Sequence, residues 1–101
     1  MPDRTYYVYI LASRSLTLYI GFTSRIEIRA RQHKNGTFEG FSKQYHCTRL
    51  VHLERYQTAF AAIAREKQLK RWSRNKKLAL IREANPTMID LSETWGNQSH
   101  R

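Results

Sequence analysis

Two short tyrosine segments, YVY at residues 7–9 and YIG at residues 19–21, constrain the fold of this chain more than any other feature. Both lie in stretches rich in aromatic and β-branched residues, which favour β-strands. Polar residues between the two segments favour a turn, and the sequence predicts a hairpin centred on Arg14. Its strands would run over residues 6–12 and 18–22.

This hairpin would place Tyr9 opposite Tyr19, and Tyr7 opposite Gly21. Facing residues on neighbouring strands share one side of the sheet. Two phenols would therefore stand side by side, next to the gap left by a glycine. Paired tyrosines also occur as ordinary sheet packing, and this feature alone favours packing. The residues after the glycine change that balance.

A helix is predicted from Arg25 to about residue 34, and its inward stripe has an unusual composition. The residues at helical spacing are Ile26, Arg29, Ala30 and His33. A stripe that served only the core would not contain a guanidinium and an imidazole. Residues four apart point the same way from a helix, so Arg29 and His33 are candidate functional residues.

A carboxylate interrupts the apolar stripe of a second helix, predicted over residues 58–71 and capped by Thr58. This stripe consists of Ala59, Ala62, Ile63, Glu66 and Leu69. An ionised group is costly to bury alone, so Glu66 needs a partner or a metal ion. The simpler interpretation is an ion pair with Arg29 or Lys70.

The order of these features resembles the GIY-YIG nuclease family. The first motif reads YVY in place of GIY and keeps Tyr9, and the second motif is intact at residues 19–21. Residues 64–72 resemble the helix that carries the family's metal-binding glutamate, and residues 85–91 resemble the ending of its small stand-alone bacterial members. The resemblance covers residues 6–91. Each motif alone is weak, but five in the right order are specific.

The resemblance implies an α+β fold, a three-stranded antiparallel sheet flanked by helices, and hydrolysis of phosphodiester bonds in DNA. The catalytic residues that it implies are Tyr9, Tyr19, Arg29, His33 and Glu66. Glu66 would hold one Mg²⁺ or Mn²⁺ ion. One tyrosine would deprotonate the attacking water, directly or through a relay, with Tyr9 favoured and the choice left open. Further candidates for the site are Tyr7, Gly21, Thr23 and Asn85.

The charge of the chain favours a polyanionic partner. Lys and Arg total 18 against 8 Asp and Glu, a formal net charge of +10. Phosphate contacts position a substrate without encoding its sequence, so selectivity for duplex, branched or flapped DNA shape is expected. The candidate DNA contacts are Arg25, Arg31, Lys43, Lys67, Lys70, Arg71, Arg74 and Lys77.

The third strand is predicted over residues 50–54, with Leu50, His52 and Glu54 on one side. A last helix begins after Ser73 and runs toward residue 84. The 101 residues suit one domain over residues 1–91, followed by a polar tail over residues 92–101 that is expected to fray.

The remaining features limit the class of protein. No apolar run is long enough to span a bilayer, so no membrane partner is expected. Cys47 is the only cysteine, which excludes an intrachain disulfide and favours a cytoplasmic protein. The oligomeric state is left open by the sequence.

Two other functions stay open at this point. The first is a nucleic-acid-binding module that keeps the fold but cleaves weakly, because larger family members carry separate DNA-binding domains. The second is a basic RNA- or ribosome-associated protein in which the tyrosines only pack.

Overall fold

The computed structural model describes residues 4–35 and 45–98. Within these residues, three antiparallel strands form one sheet in the order β2-β1-β3. The strands are β1 (Tyr6–Ala12), β2 (Leu18–Thr23) and β3 (Arg49–Tyr56). The helices are α1 (Ile26–Lys34), α2 (Ala59–Arg71), α3 (Arg74–Ala84) and α4 (Glu93–Gln98). The predicted α+β class is confirmed.

Strand β1 is buried on both faces because it lies at the centre of the sheet. One face packs against α2 and α3, in a cluster that includes Val8, Ile10, Ala62, Leu69 and Ile81. The other face packs against α1, in a cluster that includes Tyr9, Leu11, Ile26, Cys47 and Leu50. The tyrosine motifs therefore belong to the α1 face.

The β1–β2 hairpin has a different register from the predicted one. Tyr9 pairs with Gly21, and Tyr19 pairs with Leu11, a shift of two residues. Because side chains alternate with a period of two, both tyrosines still share a face. The turn is displaced because Leu16 takes a left-handed conformation with φ of 66°, a position that glycine usually occupies in three-residue hairpin loops.

Strand β3 is longer than predicted and contains an irregularity. Its register against β1 shifts between His52, which pairs with Ile10, and Leu50, which pairs with Leu11. An extra residue in one strand moves the following side chains to the other face. Leu50 therefore lies on the α1 face, and the predicted common side for Leu50, His52 and Glu54 is wrong.

Glu54 connects β3 to α2 through a network of hydrogen bonds. Its carboxylate accepts from Tyr56 Oη at 2.7 Å and from Arg65 Nε at 2.9 Å, and it lies 2.8 Å from His52 Nε2. Burial favours the neutral acid, but the bonds from His52, Arg65 and Tyr56 together hold the pKa of Glu54 well below its usual range.

Both predicted helix caps are confirmed. Thr58 Oγ1 accepts a hydrogen bond from the Ala61 amide at 3.1 Å, and Ser73 Oγ accepts one from the Lys76 amide at 3.2 Å. Each cap satisfies a backbone donor that has no partner within the helix itself. The caps fix the residues at which α2 and α3 begin. The start of α2 in turn sets the side of the helix on which Glu66 lies.

The segment after α3 returns to the sheet. The Asn85 side chain donates to the carbonyls of Val51 and Ile89, at 3.1 and 2.9 Å, and Asp90 Oδ1 accepts from the Leu50 amide at 3.2 Å. Residues 93–98 then form α4, where the sequence predicted a fraying tail. The ring of Trp95 packs against the α1-face cluster, which gives this polar segment an apolar contact.

Among the residues that the structure describes, no helix combines the length and the apolar character needed to cross a lipid bilayer.

Candidate active site

Three of the five predicted catalytic side chains form an aromatic cluster where α1 crosses the sheet. The ring centroids lie 6.4 Å apart for Tyr9 and Tyr19, 5.9 Å for Tyr9 and His33, and 5.2 Å for Tyr19 and His33. Tyr9 Oη lies 3.3 Å from His33 Nε2, and the tautomer of His33 decides which atom donates. The hairpin and α1 together bring two phenols and an imidazole into contact.

Gly21 makes room for the phenol of Tyr9. A Cβ atom added at Gly21 would lie 2.5 Å from Tyr9 Oη and 2.6 Å from Cζ, far inside contact distance. The sequence predicted a gap at this glycine opposite Tyr7. The structure has the gap opposite Tyr9, and the Tyr9 ring fills it.

Both partners of the Tyr9–His33 contact are neutral at pH 7. Burial, with the positive charge of Arg29 adding to it, lowers the pKa of His33 to about 4. Burial also raises the pKa of Tyr9 well above its usual range; Tyr19 and Glu66 add to the effect and Arg29 opposes it. Arg29 and Glu66 therefore share the electrostatic environment of the aromatic cluster.

Glu66 lies on α2 with its side chain only 15% exposed, and its Oε2 forms an ion pair with Lys70 Nζ at 3.1 Å. In the described part of the chain, no group of three His, Cys, Asp or Glu side chains can hold a metal ion. A single hard carboxylate suits Mg²⁺, which keeps several waters and takes substrate phosphate oxygens as ligands. The residues present fit an ion of that kind.

The sequence also matches a known protein family. A sequence model of the GIY-YIG catalytic domain matches residues 5–79.

The chain belongs to the GIY-YIG family.

Small relatives match most of this chain. A UPF0213 protein of Syntrophus aciditrophicus (strain SB) is 41% identical over 81 residues, covering 79% of this chain and 92% of the relative. A UPF0213 protein of Haloquadratum walsbyi is 36% identical over 78 residues, covering 77% and 88%. The solution NMR structure of a UPF0213 protein from Bacillus halodurans has a TM-score of 0.55 and 26% identity, and covers 82% of this chain and 88% of that one. The family is one of nucleases.

Several of the further candidate site residues make contacts that stabilise the fold. Thr23 is buried, and its Oγ1 accepts from the Arg25 amide at 3.0 Å, which holds the start of α1. All the contacts of the Asn85 amide described above are to backbone atoms of β3 and of the turn after α3, so it acts there as a structural residue. Tyr7 pairs with Arg55, whose guanidinium carbon lies 5.9 Å from the Tyr7 ring centroid. Arg55 was not among the predicted site residues, because only the β1–β3 register reveals this contact.

The predicted basic residues fall on separate surfaces of the GIY-YIG domain. Lys70 and Lys77 line a pocket beside Tyr19, whereas Lys67 and Arg71 line a groove that ends at Trp72. Arg74 donates to the Leu16 carbonyl at 2.6 Å and so holds the hairpin turn. Arg25, at the N-cap of α1, and Arg31, within α1, are both exposed. Lys43 lies outside the described residues.

Proposed function

We propose that this protein is a divalent-metal-dependent DNA endonuclease with a preference for branched or flapped structures, of the kind that arise in repair and recombination. The contact of Tyr9, Tyr19 and His33 on one face, in the shared field of Arg29 and Glu66, carries the proposal. The net charge of +10 supports a nucleic-acid substrate.

Hydrolysis of a phosphodiester needs an activated water, neutralised charge on the phosphate and help for the leaving oxygen. Arg29 offers a rigid fork of N–H donors to the non-bridging oxygens. Tyr19 is the more accessible phenol and holds the water or the phosphate in place. Tyr9 and His33 provide the route for the proton.

A relay explains how a buried phenol with a raised pKa can take part. With its own proton on Nδ1, neutral His33 accepts the hydrogen bond of Tyr9 Oη at Nε2. As the water attacks, its proton passes to Tyr9 Oη while the Tyr9 proton passes to His33. Burial is the main cause of the lowered His33 pKa and the charge of Arg29 adds to it. An anionic phosphate beside Arg29 would offset that added charge, so substrate binding makes the imidazole a better base.

Glu66 is the residue that would hold Mg²⁺ or Mn²⁺, with waters and phosphate oxygens as the other ligands. When bound, the ion would supply positive charge for the leaving oxygen.

A second candidate function is a nucleic-acid-binding module that cleaves weakly. The raised pKa of Tyr9 favours it, because a phenol that holds its proton tightly is a poor base. The two candidate functions predict different rates of DNA cleavage, and both predict DNA binding.

A cleavage assay on linear, flapped and junction DNA and on single-stranded RNA, with Mg²⁺ or EDTA, separates these functions. Glu66→Gln should nearly abolish Mg²⁺-dependent cleavage, while the variant still binds DNA and keeps a Tm close to the parent value. Glu83→Gln, the same change at an exposed site on α3, is the matched control and should cleave normally.

Cleavage by Glu66→Gln at the parental rate would refute the metal site. Binding without cleavage by the parent would establish the second candidate, and preferential cleavage of RNA would replace DNA as the substrate.

A further inference from the structure

Lys70 forms an ion pair with Glu66 and also lines a pocket beside Tyr19. Its ammonium forms the 3.1 Å ion pair with Glu66, and its side chain is 55% exposed. The same side chain lines the pocket formed with Lys77, Leu18, Tyr19 and Ile20. A flexible lysine stem can therefore present its charge either to the carboxylate or to this pocket.

The pocket beside Tyr19 has the chemistry of a phosphate site. Lys70, Lys77 and Tyr19 are among its lining residues, together with Leu18 and Ile20, and none of these five residues is acidic. Lysine donates up to three hydrogen bonds from a compact charge, and phosphate oxygens accept them from many directions. A backbone phosphate placed here would lie next to one of the two motif tyrosines.

The Glu66–Lys70 pair is weak enough to open. Lys70 is the exposed partner of this pair, and exposed ion pairs four residues apart on a helix contribute little. Lys70 can therefore leave when another cation takes its place at the less exposed carboxylate. A phosphate that attracts Lys70 and a divalent cation that attracts Glu66 would together replace the ion pair. A phosphate that holds Lys70 stops it from competing with the divalent cation for Glu66. A cation that holds Glu66 stops it from competing with the phosphate for Lys70.

We propose that Lys70 exchanges partners, from Glu66 in the free protein to a backbone phosphate in the Tyr19 pocket when nucleic acid binds. The exchange opens Glu66 to the divalent cation, so cation binding and nucleic-acid binding strengthen each other. By linkage, the factor is the same in both directions. This inference rests on the proposed function, because it takes Glu66 as the cation ligand.

The phosphate half is tested without metal or cleavage, by a double-mutant cycle in EDTA. Affinity for a fluorescent DNA duplex is measured by anisotropy for the parent, Glu66→Gln, Lys70→Met and the double variant. Glu66→Gln should tighten binding by releasing Lys70, and this gain should be about threefold or more smaller when Lys70 is absent. Equal gains in the two backgrounds would overturn the exchange.

The cation half is tested with Mn²⁺ alone, by electron paramagnetic resonance without DNA. Lys70→Met should bind Mn²⁺ about threefold or more tightly than Lys67→Met, its matched control on the same helix. Lys67 lies one residue from Glu66, so its removal accounts for the loss of a nearby charge without loss of the ion pair. Equal Mn²⁺ affinities would overturn this half of the exchange.

The two assays keep this inference separate from the proposed function. Glu66→Gln is therefore added to the Mn²⁺ assay. Coupling in EDTA, combined with Mn²⁺ binding that Glu66→Gln leaves unchanged, would overturn the proposed metal site and keep the phosphate exchange. An additive cycle, combined with Mn²⁺ binding that does depend on Glu66, would overturn the exchange and keep the metal site.

Discussion

At the level of single residues, Tyr9 joins the core of the sheet to the candidate active site. Its side chain is 2% exposed, and its ring belongs to the α1-face cluster, while its hydroxyl contacts His33 and lies over Gly21. The ring contributes buried area and the oxygen contributes a polar contact. Mutation can therefore separate packing from chemistry at this residue.

Removal of the hydroxyls tests the chemical role of the two tyrosines. Tyr9→Phe and Tyr19→Phe should each slow single-turnover cleavage about a hundredfold or more, the scale of removing one proton-transfer or oxyanion interaction. Urea unfolding should show a loss of only about 0.5–1.5 kcal/mol for the hydrogen bond. The double variant should lose less than the two effects combined. Full activity in both single variants would leave the pair as core packing.

Gly21→Ala tests the space that the Tyr9 phenol occupies. The added Cβ would force the buried ring to move away from His33, so we expect about 1–3 kcal/mol lower unfolding free energy and a large loss of cleavage. Urea unfolding and single-turnover kinetics measure the two effects. In a Tyr9→Leu background the clashing atoms are absent, and Gly21→Ala should then cost much less. An equal cost in both backgrounds would contradict the close approach of ring and glycine.

At the level of elements, α2 presents different chemistry around its axis. Successive residues are rotated by about 100°, so Leu69 faces the core while Lys70 lines the pocket beside Tyr19 and pairs with Glu66. Lys67 and Arg71 line the groove at Trp72, whose ring also contacts the side chains of Arg65 and Lys76. The cationic residues of α2 therefore form two surfaces.

The groove surface is tested by replacing Lys67 and Arg71 with glutamine. Binding should weaken alike for all duplex sequences, and the slope of log affinity against log salt should flatten by about 0.9 for each phosphate that the variant no longer neutralises. Arg74 stays unchanged, because its guanidinium holds the hairpin turn. Arg25→Gln with Arg31→Gln on α1 is the matched pair. If the salt slope changes only when Arg25 and Arg31 are replaced, the DNA lies along α1 and not along the groove.

The sequence predicts the elements of this fold better than their registers. The stripes of α1 and α2 were correct because helical spacing is a local property of the chain. The hairpin register was wrong because Leu16 holds a left-handed position without the glycine that usually marks it. The β3 irregularity depends on pairing with β1, so nothing in residues 49–56 alone indicates it. Neither error affects the prediction that Tyr9 and Tyr19 share a face of the sheet, because a register shift of two residues leaves each side chain on the same face.

At the level of the whole molecule, burial of neutral His33 links stability to pH. The pKa of His33 is about 4 in the folded protein and about 6.5 when it is unperturbed, so between these values the unfolded chain binds more protons. The contribution is complete above pH 6.5 and is lost as the pH falls toward 4. Glu54 and Asp90, whose pKa values are lowered from 4.5 and 3.8, act below most of this window.

The unfolding free energy should therefore rise from pH 4.5 to pH 6.5, by up to about 1.4 kcal/mol for each unit of the His33 shift. Urea unfolding at several pH values measures this slope. His33→Gln should be less stable at pH 6.5 and should have a flatter profile. The same slope in parent and variant would show that another group controls the pH dependence.

The segment after α3 also determines how the sheet meets its surroundings. Strand β3 lies at the edge, where exposed amides and carbonyls can pair with another chain and start aggregation. The backbone groups of Leu50 and Val51 at this edge are hydrogen-bonded to Asn85, Asp90 and Leu91. The Leu91 amide, for example, donates to the Leu50 carbonyl at 2.8 Å. The match to the family ends at residue 79, so a fragment cut there would lose this cover. The smallest fragment that keeps this edge of β3 covered therefore reaches at least to Leu91.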